Sequence, residues 1–316
     1  MMNSFNRDKM LPVKALCALV IVATHLAGNV ACLWLKLFIP LGMFAVSLFL
    51  FISGYGLARS YMKKGDTYLS GFFCKRIWKV LWPAIVALIL WYLLIRDPSR
   101  NFLHDLYMTF RWGSPPLPQF WYVLEIICLY LLFWISFRIV PEKWRLPVLW
   151  LCALLFMVLT IALGYDRNWW IHTLAFPTGA SYAYGEERLL KWLNKHSLNP
   201  LFSLIVLLFL FVVFYRVNIP YLWTLCYVFV SLAGALVVSW IPLEKIHNPF
   251  MRFTGTVSYE IYLFHGIAIA ALRGSRIFIT SDGWYIAAVY LVTLAMAGLF
   301  LLAKQIQRFW KKPSTT

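Results

Sequence analysis

Ten long runs of apolar residues restrict the fold of this chain more than any other feature. A bilayer-spanning α-helix needs about 20 mostly apolar residues. The runs lie at 11–31, 36–58, 77–95, 119–137, 147–164, 169–185, 200–216, 219–240, 256–273 and 284–303. The sixth is the weakest because Pro177 and Gly179 interrupt it. The sequence therefore predicts an all-α integral membrane protein with about ten transmembrane helices.

Composition supports lipid as the solvent of this chain. Hydrophobic residues make up 62% of it and charged residues 13%, whereas soluble domains average about 45–50% and about 25%. No second domain is visible, and the longest connection, 96–118, is expected to cap one face of the bundle. We therefore expect a single transmembrane domain over 1–316, without a soluble accessory domain.

The formal net charge of +17 comes from basic residues clustered between the apolar runs. Nucleic-acid binding is disfavoured because no basic domain exists outside the spans. With a cytoplasmic N-terminus, 21 of the 29 Lys and Arg fall on the inner side. The positive-inside rule then predicts that both termini are cytoplasmic and that the number of spans is even.

Two ionisable residues lie in the first apolar run, where each is a functional candidate because charge is costly in lipid. Lys14 and His25 are eleven residues apart, which is almost three helical turns and about 16 Å along the axis. They should therefore share one face, with Lys14 able to hold an anion and His25 able to act as a general base. A snorkelling lysine and an interhelical hydrogen bond are the structural alternatives.

The ninth run carries a second polar stripe. Ser258, Tyr262 and His265 lie at i, i+4 and i+7, so they share a helix face. Such a stripe faces either a reaction chamber or other helices, and spacing alone does not separate these alternatives.

Three further features are weaker candidates. A basic cluster of Lys75, Arg76 and Lys79 opens the third run and suits phosphate binding, although such clusters often only set topology. Glu125 in the fourth run must be neutral, paired or facing water. Ser53-Gly54 in the second run allows close helix approach.

Motifs for metal or nucleotide chemistry are not found in the sequence. It has no H-E-x-x-H, no G-x-x-x-x-G-K-[ST], no G-x-S-x-G and no zinc-type spacing among its six Cys. We therefore expect no metal site, and we interpret the cysteines as small buried hydrophobic residues.

These same residues resemble the membrane acyltransferase-3 family. The similarity runs in order from Lys14 to the last span, and its first and last blocks together are specific. The matching blocks are Lys14 with His25, Leu50-Phe51-Ile52-Ser53-Gly54, Lys75 to Pro83, Gln119-Phe120-Trp121-Tyr122, Ala175 to Gly179, and Gly255 to His265. Lys14 replaces the commoner Arg, and Gln119 stands where His is frequent.

The resemblance implies a ten-helix enzyme of the bacterial inner membrane with no tightly bound cofactor. Such an enzyme transfers an acyl group, usually acetyl, from cytoplasmic acyl-coenzyme A to a hydroxyl of an extracytoplasmic or lipid-linked glycan. Coenzyme A would lie near Lys14, Lys75, Arg76 and Lys79, and His25 would act as base or acyl carrier. Tyr262, His265 and Ser258 would orient the substrate or stabilise the oxyanion, and Trp121, Glu125 and Tyr259 would contact substrate.

Two other classes of protein remain open at this point. A transporter or flippase of a lipid-linked or small polar solute could line its path with the same stripes, although no internal repeat typical of such folds is seen. A membrane scaffold without chemistry is disfavoured by the intramembrane His and Lys. Acyl-coenzyme A turnover by purified protein separates an enzyme from a carrier.

Overall fold

The computed structural model describes residues 5, 7–95, 101–243 and 248–310. Regular structure in these ranges is helical, apart from one isolated bridge between Arg273 and Phe278. The α-helices are α1 Arg7–Leu26, α2 Phe38–Lys64, α3 Asp66–Ser70, α4 Trp78–Leu94, α5 Phe102–Trp112, α6 Phe120–Ile139, α7 Arg145–Ala162, α8 Ala175–Leu193, α9 Asn199–Arg216, α10 Trp223–Trp240, α11 Pro249–Thr256, α12 Ser258–Leu272 and α13 Asp282–Trp310.

Eight helical segments within the described residues are long and apolar enough to cross a membrane. They are Lys9–Leu26, Leu33–Lys64, Phe73–Leu94, Phe120–Ile139, Glu142–Ala162, Asn199–Arg216, Pro220–Trp240 and Asp282–Gln307. Helices α11 and α12 meet at an angle of 78° and give a ninth candidate if they count as one broken span. The chain is therefore a helical, multi-pass membrane protein, while the number ten and the side of the termini stay predictions.

The sixth predicted run differs most from the structure. Helix α8 begins at Ala175, six residues after the predicted start at 169, and it carries charged residues in its second half. Pro177 lies in its first turn, where a missing N–H breaks no helical hydrogen bond. The first six residues of α8 are buried among neighbouring helices, so this half needs no lipid-compatible surface.

The connection predicted as a cap at 96–118 contains an additional helix, α5. Asn101 caps its start by accepting a hydrogen bond from the Leu103 amide at 3.0 Å. Asp105 is buried and accepts a 2.6 Å hydrogen bond from the Tyr92 hydroxyl on α4. Because large apolar side chains such as Phe110 are exposed on its other face, α5 has the pattern of a helix lying on the membrane interface.

Helices α2 and α8 cross at very short distance, as Ser53-Gly54 predicts. A Cβ on Gly54 would collide with the backbone carbonyl of Phe176, and one on Gly179 would collide with that of Phe51. Small residues allow such close approach, which increases van der Waals contact between membrane helices.

Helix α1 lies between α2 on one side and α11 and α12 on the other. Gly255 makes this possible, since a Cβ there would overlap the carbonyl of Leu11. The short break at Val257 then turns the chain, so that α12 follows α1. This packing brings the two polar stripes against each other.

The N-terminal segment is fixed to the bundle by buried polar contacts. Glu186 on α8 accepts 2.8 Å hydrogen bonds from the Phe5 amide and the Tyr55 hydroxyl, and Arg59 lies 4.0 Å away. The Lys9 ammonium donates to the Ser239 carbonyl at 3.2 Å near the end of α10. The start of α1 is thereby held at a fixed position relative to α8 and α10.

The α2–α8 contact yields a matched pair of substitutions. Gly54→Ala should destabilise the bundle by ~1–3 kcal/mol because the added methyl forces the helices apart. Gly56→Ala is the control in the same helix, since nothing lies within 4 Å of its added Cβ. Thermal unfolding in detergent measures the difference, and equal melting temperatures for the two variants would contradict the close-packing account.

Candidate active site

A cavity of about 300 Å³ lies between α1, α2, α4, α6 and α12. Three cationic side chains, Lys14, Arg76 and Lys79, line it, and the described lining residues include no acidic one. Ser53, Ser258 and a set of tyrosines supply the remaining polar surface. We call this the basic cavity, and its chemistry suits an anionic ligand that also carries apolar parts.

Two contacts hold Arg76 at the basic cavity. It lies in a π-helical turn, Phe73–Ile77, that precedes α4. Arg76 is held there by a 3.1 Å hydrogen bond to the Ser60 hydroxyl and by stacking over the Tyr68 ring. The guanidinium is therefore positioned before any ligand arrives.

The break at Val257 adds a further positive element. Ser258 is the first residue of α12 and lines the basic cavity, so the amino end of this helix faces the same space as the cations. Unpaired N–H groups and the helix dipole make such an end favourable for anions. Glu260 in the same turn is paired with Lys304 at 2.7 Å, which reduces the opposing effect of its negative charge.

Tyr262 connects the basic cavity to the histidines. Its ring lies 5.0 Å from the Tyr122 ring and 5.8 Å from the His265 ring, measured between centroids. Its hydroxyl donates a 2.6 Å hydrogen bond to the Gln119 carbonyl. Because that proton is already committed, Tyr262 is better suited to orienting a ligand than to stabilising an oxyanion.

His25 and His265 face each other across the α1–α12 contact. Their ring centroids are 4.8 Å apart, and the side chain of His25 is exposed whereas that of His265 is fully buried. Neither ring nitrogen of His265 has a hydrogen-bond partner among the described residues. Buried polar atoms are normally satisfied, so the buried His265 ring is a candidate contact for a ligand.

A polar cluster fixes the end of α1 beside His25. Asp282 at the start of α13 pairs with Arg273 at 2.5 Å and accepts a 2.9 Å hydrogen bond from the Ala31 amide. Arg273 also donates to the Asn29 backbone carbonyl, and the side-chain amide of Asn29 donates to the His25 carbonyl at 2.9 Å. These contacts connect the ends of α1 and α12 with the start of α13, and they include the backbone carbonyl of His25.

Five predicted site residues do not line the basic cavity: His25 and His265, described above, and Lys75, Glu125 and Trp121. Lys75 is exposed and its ammonium lies near Gly71, because consecutive residues of a helix point in different directions. Glu125 is fully buried and accepts a 2.8 Å hydrogen bond from the Thr173 hydroxyl. Trp121 stacks on His172 at 6.2 Å. The other predicted residues of the cavity, Lys14, Arg76, Lys79, Ser258, Tyr259 and Tyr262, all line it.

His172 is a buried polar residue to which the sequence assigns no role. Its Nδ1 lies 2.8 Å from the Ser47 hydroxyl, and its ring meets the Tyr227 ring at 4.6 Å. Its Nε2 has no partner within the described residues. Nothing in the spacing of Ser47 and His172 indicates this contact, since they lie on segments 125 residues apart.

The comparison with protein families identifies the chain. The acyltransferase-3 family model, described as an acyltransferase domain, matches residues 13–311. Because this is nearly the whole chain, the protein belongs to the acyltransferase-3 family and is a membrane acyltransferase. No match is found among curated proteins or among solved structures.

The Arg273 cluster yields a test of how His25 is positioned. Arg273→Gln should free the end of α1 and lower acyl-transfer turnover by up to about 100-fold, since small displacements of a reacting group are costly. Arg276→Gln is the control, because this exposed arginine in the same loop lies outside the cluster. Turnover of the two purified variants measures the effect, and equal loss in both would refute a positioning role.

Proposed function

We propose that this protein transfers an acyl group, in the simplest case acetyl, from acyl-coenzyme A to a hydroxyl of a carbohydrate. The donor enters from the cytoplasm at the basic cavity. The acceptor is an extracytoplasmic or lipid-linked glycan that reaches His25 from the other side of the membrane. The observation that carries this proposal is the continuous contact from the cationic cavity through Tyr262 and His265 to His25.

The charge of the basic cavity supports coenzyme A as the donor. Its three cations and the amino end of α12 match a ligand bearing several phosphates. A lysine at position 14 acts as a point charge and gives up the bidentate grip of an arginine. Arg76 keeps the bidentate geometry of a guanidinium, so Arg76 and Lys14 can each bind phosphate groups of the donor.

The positions of Lys14 and His25 on α1 explain how one site can serve both sides of the membrane. Lys14 and His25 lie on the same helix, about 16 Å apart along its axis. A long, thin donor arm can cross this distance beside α1 while its nucleotide stays at the basic cavity. The thioester would then lie near the two histidines, where the acceptor hydroxyl also arrives.

The chemistry at His25 requires one proton transfer and one displacement. An imidazole nitrogen of His25 removes the proton of the acceptor hydroxyl, and the oxygen attacks the thioester carbonyl. The carbon–sulfur bond breaks, and the coenzyme A thiolate leaves and takes up the proton from His25. His25 could instead carry the acyl group briefly before passing it on. His265, within contact distance, orients the His25 ring in either case.

We further propose that α8 and the broken pair α11–α12 complete a ten-span bundle with both termini in the cytoplasm. Residues 1–316 would form one transmembrane domain of the bacterial inner membrane. The charge distribution of the sequence and the buried first half of α8 support this arrangement.

Replacing His25 tests the proposed chemistry. His25→Ala should lower acyl transfer by ~10²–10⁴-fold, the usual contribution of a general base. His196→Ala is the control, because His196 is exposed and remote from the histidine pair. Release of free coenzyme A from acetyl-coenzyme A by purified protein, with water as the acyl acceptor, is the measurement. Undiminished release by a folded His25→Ala variant would overturn the assignment.

Replacing Arg76 tests the donor site. Arg76→Gln removes charge-assisted hydrogen bonds worth ~1.5–3 kcal/mol, so the KM for acetyl-coenzyme A should rise about 10- to 100-fold. Lys75→Gln is a matched control, since its side chain points away from the basic cavity. An equal rise in KM for both variants would mean that net charge alone attracts the donor.

A further inference from the structure

A second cavity, of about 440 Å³, lies at the same end of the bundle as His25. Its walls come from the first turns of α2, the end of α9, the start of α10 and the loop before α8. The lining residues are Ile39, Pro40, Met43, Phe44, Arg167, Phe211, Tyr215, Trp223, Cys226 and Tyr227. We call it the aromatic cavity.

Its position relative to His25 follows from the α1–α2 contact. The Thr24 hydroxyl donates a 2.7 Å hydrogen bond to the Phe38 carbonyl, so the start of α2 lies beside the residue that precedes His25. Ile39 and Met43, which line the aromatic cavity, follow within the next two turns of α2. Only the first turns of α2 therefore separate the two places.

The polar groups of the aromatic cavity are hydrogen-bond donors or cations. Arg167 is exposed and pairs with no carboxylate in the described part of the chain. The indole N–H of Trp223 is buried and has no partner among the described residues. No acidic residue is present among the described lining residues. This set of groups favours an anion.

The remaining wall is flat and apolar. Tyr215 stacks on Phe211 at 5.9 Å and on Trp223 at 6.3 Å. Ile39 and Tyr215 are exposed on the outside of the bundle, where a membrane protein meets lipid. A ligand with an alkyl chain can therefore enter sideways from the bilayer, with its headgroup reaching Arg167.

Resting on the proposed function, we infer that the aromatic cavity binds the phosphate headgroup of the lipid that carries the acceptor. The phosphate accepts hydrogen bonds from Arg167 and Trp223, and the lipid chain lies along α2 and α9. The hydroxyl to be acylated, on a sugar joined to that phosphate, can then extend around the first turns of α2 toward His25.

Binding of a defined lipid phosphate tests this inference without requiring turnover. Decaprenyl phosphate is titrated into the purified full-length protein in detergent, and its Kd is measured by thermophoresis. Decaprenol and inorganic phosphate are titrated separately, so that the chain and the anion are each tested alone. We expect binding of decaprenyl phosphate at least tenfold tighter than binding of either.

Variants assign the binding to the aromatic cavity. Arg167→Gln and Trp223→Phe should each weaken the Kd for decaprenyl phosphate about tenfold or more. Arg216→Gln, at the exposed end of α9 and outside the lining, should leave it unchanged. An unchanged Kd in both Arg167→Gln and Trp223→Phe would overturn the site. Equal binding of phosphatidylglycerol would show a site for any anionic lipid and would overturn its assignment to the acceptor.

The same variants separate this inference from the proposed function. Without acceptor, water takes the acyl group, so the unmodified protein and Arg216→Gln should both release coenzyme A from acetyl-coenzyme A, while His25→Ala should not. If no variant and no unmodified protein turns over acetyl-coenzyme A, the proposed function fails, and with it the identity of this lipid as an acceptor. If turnover is normal and decaprenyl phosphate does not bind, only the inference about the aromatic cavity fails.

Discussion

The close contact of α1 with α11 and α12 is the constraint on which the rest of the site depends. Polar and charged groups are costly in lipid, so the polar faces of these helices must be covered by each other. The missing side chain at Gly255 lets the backbone of Leu11 approach. The turn at Val257 then directs α12 along α1. As a result, Lys14 and His25 face the stripe of Ser258, Tyr262 and His265 along one contact.

Much of this arrangement follows from the sequence, because the periodicity of an α-helix is the same in lipid as in water. The spacing of Lys14 and His25 predicts one shared face, and the spacing of the stripe on α12 predicts another. In the structure Lys14, Ser258 and Tyr262 line the basic cavity, and His25 contacts His265. The Gly54 prediction of close helix approach is also confirmed. These features depend on local geometry, which a periodic pattern specifies.

Features that depend on irregular backbone could not be read from the sequence. Arg76 lines the basic cavity and Lys75 does not, and both lie in a π-helical turn that no residue pattern marks. The contact of Ser47 with His172 joins distant segments and requires the tertiary fold. Helix α5 lies in the connection predicted as a cap, where prolines stand on both sides of it, and Asn101 caps its start.

The candidate site has two parts, with the basic cavity at one end of α1 and the imidazole of His25 at the other. Under the proposed function, such a division would let a charged donor stay on one side of the membrane while only its reactive end enters the bundle. In our proposal the aromatic cavity has the complementary role, since Arg167 lies in its lining and outside that of the basic cavity.

The most direct test uses proteoliposomes in which the protein is inserted in one orientation. Acetyl-coenzyme A is supplied on only one side, and released coenzyme A thiol is measured on that side. The account predicts release when the donor faces the Lys14 end of α1 and none when it faces the His25 end. Equal release from both sides, or release only from the His25 end, would contradict a donor site at the basic cavity.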